Sequence, residues 1–583
     1  MGLVRYLQRA RRVRSETRSS ATVPDDDTGE YWPTIPGSTP ASVVRRFSSS
    51  AFRALDRRER AAVAAMAPWD GAENLSVYRR FGRLRVAEVD PSMTPAGAYA
   101  ANQHLVVELC EAEDVDYFLV PESTSSRARI GIPEEHWASF VDRVIGLGRT
   151  RPVYAGVEGR SVDGHLRRYP GLVTDVRIQR AMRSQSHLEI FTAVRPGETS
   201  TVVFDRPFSC HVERWSTVDS GALKAPSRNE RTTHVGAGSR VSTTAWSHGR
   251  QVRTLLPFTG TGMFEIDFPI DVVYMWVDGV DPAWIDRKNE ALVRAGMEPV
   301  HESAATERFR DNGELRYSMR SVEQFAPWVR HIYLVTDQQV PEWLDQDHPR
   351  ITVVDQRDLF DGHGVTPSFN SHAIGARLHH IPGLSEHYIH FNDDFFLARP
   401  VLPQLFFTSQ GASKFFLSRS TLGFYDEGEA QPHEQARRNV VNLLNEDFGR
   451  VASRTFFHTP IVQRRSTMLE LEERYPTEFE TTWSSPFRSS SDYEINSWLH
   501  HYYGYLMGKA VVGSIRYDYF DVSDDGGWRR MRRLMRNRDM DTFCINDNAT
   551  VTDEQRARVE RWMASYYEIP ASWERTDGPG PTL

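Results

Sequence analysis

Long apolar runs, cysteine and lysine are what this 583-residue sequence has least of. No segment reaches the ~18–20 uninterrupted apolar residues of a membrane span, and the N-terminus carries no signal-peptide apolar region, which predicts a cytoplasmic protein. Cys110, Cys210 and Cys544 are the only cysteines. They are too few and too scattered for a disulfide framework or a thiolate metal site, so their chemistry is expected to be incidental. Lys224, Lys288, Lys414 and Lys509 are the only lysines among 70 basic residues. A GC-rich genome explains that bias by itself, although every arginine also offers a forked donor suited to phosphate oxygens. The formal charge of -8 leaves no global basic field, so no nucleic-acid partner is expected.

What is present suits a soluble globular chain, with 40% hydrophobic, 25% charged and 11% aromatic residues. The length exceeds what one hydrophobic core organises, and predicts about two to four domains. Met1 to Ser20 is rich in arginine around Leu3, Val4, Tyr6 and Leu7. It reads as a solvated terminus, with weak contact to an anionic membrane surface, at the inner face of the membrane, as the alternative. Residues 1–45 are thus a basic, flexible segment that includes a linker rich in Ser, Thr, Pro, Asp and Gly. Residues 46–265 hold a helical stretch near Arg53 to Met66 and short alternating runs at Tyr117 to Pro121 and His187 to Val194. They predict an α+β accessory domain without a catalytic motif.

From 266 to 583 the pattern changes. Apolar strands are expected at Ile270 to Val277, His331 to Val335, Arg350 to Val354 and His387 to Phe391, with helices at Glu314 to Phe325 and Ser371 to His380 between them. Such alternation predicts an α/β fold with a mostly parallel, doubly wound, Rossmann-like sheet, and ligands bind beyond the carboxyl ends of such strands. Further helices are expected at Asn439 to Phe448, Thr467 to Tyr475, Tyr493 to Met507 and Thr552 to Tyr567. Asp311 with Glu314, and Thr552 with Gln555, have the spacing of capping boxes.

Two acidic motifs, Asp278 to Asp281 and Asn392-Asp393-Asp394, follow strands directly, so both should converge on one sheet edge. Carboxylates there are hard oxygen ligands for a divalent cation that neutralises phosphate oxygens. Asp394 is the first choice for the metal, with Asp393 as a second ligand or its support; strand alternation would put Asn392 and Asp394 on one face. A turn with capping roles is the plain structural alternative. In Arg308 to Arg320, the forks of Arg316 and Arg320 stand four apart on one helix face and could share a pyrophosphate, or simply pair with Glu314 or Glu323. His458 suits proton transfer and Arg488 suits steadying phosphate charge, though spacing alone singles out neither.

Taken together, these segments resemble the Stealth family of capsular polysaccharide phosphotransferases, to which the Golgi N-acetylglucosamine-1-phosphotransferase is related. The likeness lies in four ordered blocks: Ile270 to Gly279; Arg308 to Asp394; Phe457 to Met507; and Cys544 to Asn548. The resemblance implies a nucleotide-sugar donor, UDP-N-acetylglucosamine or a related UDP-hexose, a Mg²⁺ or Mn²⁺ ion, and a glycan or polysaccharide acceptor. It places Asp271, Trp276 and Asp278 at the donor, where the Arg308 to Arg320 constellation would add Arg308, Arg316 and Arg320. Asp393, Asp394, Asn546 and Asp547 fall at the metal, and His458, Arg488 and Asp394 at the reacting centre. It departs at Gly375, where relatives carry a glutamate after Ala-Ile, leaving His372 or Arg377 as candidates to compensate. A glycosyltransferase that releases UDP and a sugar-nucleotide-binding protein without catalysis are the competing readings; oligomeric state, including a homo-oligomer, stays open.

Overall fold

The computed structural model describes residues 45–46, 69, 74–80, 83–112, 114–123, 125–160, 166–198, 200–297, 309, 311–423, 430–546 and 551–575. Met1 to Ser20, the helical stretch expected at Arg53 to Met66, Arg308 and Asp547 lie outside these residues.

Four strands rich in β-branched and aromatic residues, Ile270–Met275, Ile332–Thr336, Ile351–Asp355 and His387–Asn392, pair in parallel. Side chains of strands 270–275, 332–336 and 387–392 are buried on both faces, as the near-continuous apolar pattern of a parallel sheet requires, whereas strand 351–355 exposes Thr352. Val272, Tyr274, Leu334 and Phe391 feed one core, while Val273, Tyr333, Val335 and Tyr388 feed another. Helices therefore cover both sides. Across the sheet the order is 351–355, 332–336, 270–275, 387–392, and then an antiparallel edge strand, Ile461–Arg464. The order reverses between strands 270–275 and 387–392, whose carboxyl ends lie side by side, Met275 opposite Asn392. A doubly wound sheet opens its ligand crevice at such a reversal, and the fold is the α/β, Rossmann-like class that the alternation predicts.

Beyond that crevice a small sheet closes the site. Its central strand, Thr542–Asn546, runs antiparallel to Phe395–Leu397 and parallel to Tyr517–Asp521. Helix Glu314–Phe325 has the expected bounds. Helix Asp553–Tyr566 opens on the Thr552/Gln555 capping box. The helix expected at Ser371 to His380 divides into Ser371–Gly375 and a short 3-10 turn, Leu378–His380. The one expected at Tyr493 to Met507 begins as a wide π turn, Ile495–Leu499, before α-helix His500–Leu506.

The N-terminal half is α+β. Helices Pro95–Glu111, Glu134–Leu147 and Val176–Ser184 accompany a ten-stranded mixed sheet and a four-stranded one. Strands Phe118–Val120 and His187–Thr192 stand where the alternating runs predict them. Ala98, Val202, Phe204 and Phe208 belong to the same apolar cluster as Val272 and Phe391, so the core runs unbroken across position 265. No helix among the described residues is long and apolar enough to cross a membrane.

Candidate active site

Strand 270–275 runs out into Trp276, whose Nε1 donates to Asp311 at 2.9 Å. Two residues on, the Asp278 amide donates to Gln339 and the Asp278 carboxylate accepts the Val280 amide. The Gly279 amide donates to the Phe309 carbonyl at 2.7 Å, and a Cβ at Gly279 would lie 2.2 Å from that oxygen. Only glycine lets the two chains approach so closely, and their approach sets Asp311 against the strand end.

The neighbouring strand stops at Asn392, and Asp393-Asp394 form a turn into strand 395–397. Strand alternation therefore ends before Asp394, and the shared face expected for Asn392 and Asp394 does not form. Burial, then Asp394, Glu314 and Asp311, hold the Asp393 carboxyl well above the ordinary carboxylate range. Glu314 is raised to about 7 by burial and by Asp311; Asp311 is raised by burial, with Asp278 adding to it. Among the described residues no arginine or lysine pairs with any of these carboxylates. Asp311 and Glu314 had been assigned to a helix cap. Instead Gly313, at a φ of 82°, occupies the cap position; Asp311 accepts the Gly313 amide and Glu314 accepts the Asn312 amide. Sequence reasoning missed both as site residues, though two acids flanking Asn-Gly just before a helix were the available signal.

Cys544 is the second omission. The central strand of the small sheet holds it between Asp394 and His458: its Sγ donates to Asp394 Oδ2 at 3.1 Å and contacts His458 Nδ1 at 3.1 Å. Burial and the Asp394 charge push the thiol well above its usual pKa, so it stays protonated. With the S–H given to Asp394, sulfur accepts from Nδ1–H, leaving the lone pair of His458 on Nε2. The ring stands edge-on to Phe395, 4.7 Å away, and its side chain is half-exposed.

His458, Asp393, Asn546, Trp276 and Arg488 line one cleft of about 760 Å³. Its far wall is polar. Arg488 donates to the Ser371 hydroxyl through Nε and Nη2, at 3.2 and 2.7 Å. Burial raises the Glu494 pKa, but Arg437, His372 and the Ser497 hydroxyl bring it down to about 2. Beneath lies Gly375, where a Cβ would come within 2.5 Å of Asn496 Nδ2. Asn496 thus fills the space that a glutamate there would need. Of the two candidates to replace that glutamate, His372 lines the cleft. Arg377 turns away, to Glu472, the carbonyls of Leu359 and Phe360, and the Trp483 ring.

Three residues assigned to the donor lie elsewhere. Asp271 is fully buried at the other end of its strand, about 13 Å from the crevice at ~3.3 Å per residue. Arg330 and the Ser385 amide clamp its carboxylate. Arg316 and Arg320 spend their forks on Glu574, and Arg320 also donates to the Tyr567 carbonyl. They fasten the C-terminal segment to helix 314–325, so the ion-pair alternative describes them, with Glu574 as the partner rather than Glu314 or Glu323.

The carboxylate set fits a hard divalent cation on its own evidence. Asp394 Oδ1 is buried without a hydrogen-bond partner, the neighbouring acids repel one another, and oxygen donors are what Mg²⁺ or Mn²⁺ takes. Asp394, His458 and Cys544 also bring one ligand atom each within 4.8 Å of the others.

Four segments match the conserved regions of the Stealth proteins: region 1 at 268–292, region 2 at 308–415, region 3 at 457–505 and region 4 at 532–580. An exopolysaccharide phosphotransferase of Streptomyces coelicolor is 38% identical over 85% of each chain. The exopolysaccharide phosphotransferase CpsY of Mycobacterium tuberculosis is 31% identical over 85% of this chain and 91% of its own. Those alignments exceed the part of the chain beyond Phe268, so the likeness runs into the N-terminal half. Among solved structures, the galactosyltransferase LgtC matches over 53% of this chain and 97% of its own, at 12% identity and a TM-score of 0.28, too distant for any inference.

Proposed function

Because the chain belongs to the Stealth family, we propose that it transfers a hexose-1-phosphate from a UDP-sugar to a hydroxyl of a glycan acceptor, forming a phosphodiester and releasing UMP. The observation that carries the reading is the group of carboxylates at the sheet's switch point with no arginine or lysine against them among the described residues, of which Asp393 lines the cleft that also holds His458 and Arg488. Relatives named exopolysaccharide phosphotransferases support the reaction class and a role in cell-surface polysaccharide synthesis. The donor we favour is UDP-N-acetylglucosamine. We take residues 266–583 as the catalytic part, 46–265 as accessory to it, and the protein as cytoplasmic.

Asp393 and Asp394, with Asn546 nearby, would hold the Mg²⁺ or Mn²⁺, whose charge when bound neutralises diphosphate oxygens. The acceptor oxygen attacks the sugar-bearing β-phosphorus in line. As that bond forms, the bond from β-phosphorus to the bridging oxygen breaks, and UMP departs with the oxygen. His458 takes the acceptor's proton at Nε2, its other nitrogen fixed by Cys544. Arg488, held by Ser371, donates to non-bridging oxygens whose charge grows along the path.

The test is incubation with UDP-N-acetylglucosamine, Mg²⁺ or Mn²⁺ and simple glycan acceptors, followed by identification of the released nucleotide. UMP with a phosphodiester product supports the proposal; UDP with a glycosidic product replaces it by glycosyl transfer. One observation favours a second reading. Asn496 fills the space beside Gly375, where the family resemblance leads to the expectation of a glutamate, and a sugar-nucleotide-binding protein without catalysis would bind donor and release neither nucleotide.

A further inference from the structure

Helix Asp525–Asn537 carries five arginines against one aspartate, in a chain whose formal charge is -8. Gly527, Trp528, Met531 and Leu534 are its buried residues, and the last three join Phe520, Val522 and Phe543 in the core. That inner stripe turns Arg529, Arg530, Arg532, Arg533 and Arg536 to solvent. Two of them are engaged. Arg530 pairs with Asp518 at 3.1 Å and donates to the Tyr519 carbonyl, and Arg533 pairs with Asp539 at 3.2 Å.

Arg529, Arg532 and Arg536 form no ion pair among the described residues. Spaced three and four apart, they share one helix face over about 10 Å. The exposed Arg558 guanidinium, stacked 4.0 Å over Trp528 on the neighbouring helix, extends the basic surface.

Position gives this face its meaning. The helix connects strand 517–521, whose Tyr519 lines the cleft beside His458, to strand 542–546, which supplies Cys544 and Asn546. Arg530 is bonded to Tyr519 itself. We propose that the exposed arginine face of helix 525–537 binds phosphodiester groups of the anionic glycan chain under extension, holding it as it leaves the cleft. The inference rests on the phosphotransfer reading, because that reaction places one phosphodiester in every repeat it adds. Guanidinium forks suit phosphate oxygens, and a row of them suits a polymer better than a single ion. A lipid surface is disfavoured: none of the large exposed apolar side chains lies on this helix, whereas a helix seated in a bilayer interface presents an apolar face to it.

The full chain and the variant R529Q/R532Q/R536Q are compared for binding to a synthetic poly(glycerol phosphate), to neutral dextran of equal length, and to phosphatidylglycerol vesicles. The expected result is salt-sensitive binding of the phosphate polymer by the parent, with a log–log slope near -2 for three contacts at ~0.7 each. The triple variant should bind it at least tenfold more weakly, with a flatter salt dependence. Its melting temperature and its turnover on a short neutral acceptor should match the parent's. Equal polymer binding by parent and variant would overturn the proposal, and so would binding to vesicles alone, which would make the face a membrane contact. Polymer binding that depends on the arginines, in a protein that transfers no sugar phosphate, would sink the activity while leaving an anionic-polymer surface.

Discussion

The N-terminal sheet and the rim of the parallel sheet treat buried charge in opposite ways. In the N-terminal sheet each buried acid has a cation against it: Asp205 meets Arg80, Glu189 meets Arg206 at 2.6 Å, and Glu213 meets Arg129 at 2.5 Å. At the rim of the parallel sheet, Asp311, Glu314, Asp393 and Asp394 face one another with no arginine or lysine between them among the described residues. Removing one partner of a buried ion pair weakens a fold strongly, so the first arrangement is architecture. Crowded like charges weaken a fold while they wait for a cation, and groups perturbed in this way mark working sites. Charge that serves structure is neutralised from within; on the proposed function, the charge at the rim is left for a ligand to neutralise.

The sharpest way to break this comparison is Asp394→Asn. Turnover should fall by a hundredfold or more, while the melting temperature holds or rises as repulsion is relieved. A stable variant with near-normal turnover would remove Asp394 from the chemistry.

The mirror experiment is Glu189→Gln, where Arg206 loses its partner at a buried site. Denaturant titration should show a loss of about 3 kcal/mol, with turnover per folded molecule unchanged; a neutral result would show the N-terminal pairs to be ornamental. Between these extremes lies Gly375→Ala, which forces a methyl onto Asn496. It should cost about 1–3 kcal/mol, most of it regained when Asn496→Ala is added, and an additive double variant would contradict the contact.

The gentlest test is pH. Burial brings His379 down to about 4 and His390 and His501 to about 3. Unfolded, these rings protonate near 6.5; folded, they stay neutral. The stability these rings contribute to the C-terminal half is therefore complete above pH 6.5 and is lost progressively as pH falls toward 3. For Glu189, burial opposes Arg206 and His211, which still bring it to about 2. Its contribution is complete above about 4.5 and disappears only as pH falls toward 2. Melting should first drop by several degrees between pH 7 and 5, and a flat profile there would contradict the neutral histidines.

Much of the C-terminal half is legible in the sequence because strands buried on both faces are written as apolar runs, and the acidic motifs stand directly after them. Asp393, Asp394, His458 and Arg488 could be named from that pattern and from the family likeness. What could not be read were contacts between distant segments. Cys544 looked idle because nothing local links it to Asp394, 150 residues earlier. Arg316 and Arg320 looked like phosphate forks because Glu574 lies some 250 residues away. Asp271 follows an apolar residue as Asp278 does, and only the direction of the strand assigns one to the crevice and the other to the opposite end. Asp311 and Glu314 had cap spacing, but the left-handed turn at Gly313 displaced the cap.

The small sheet that inserts Cys544 between Asp394 and His458 also sets a clock. A ribosome adding roughly 5–20 residues per second makes Asp394 on the order of ten seconds before the thiol that fixes the histidine's tautomer. Through that interval the nascent polypeptide carries Asp394 and His458 without the thiol that lies between them. On the proposed mechanism, no turnover is expected until that late strand has docked.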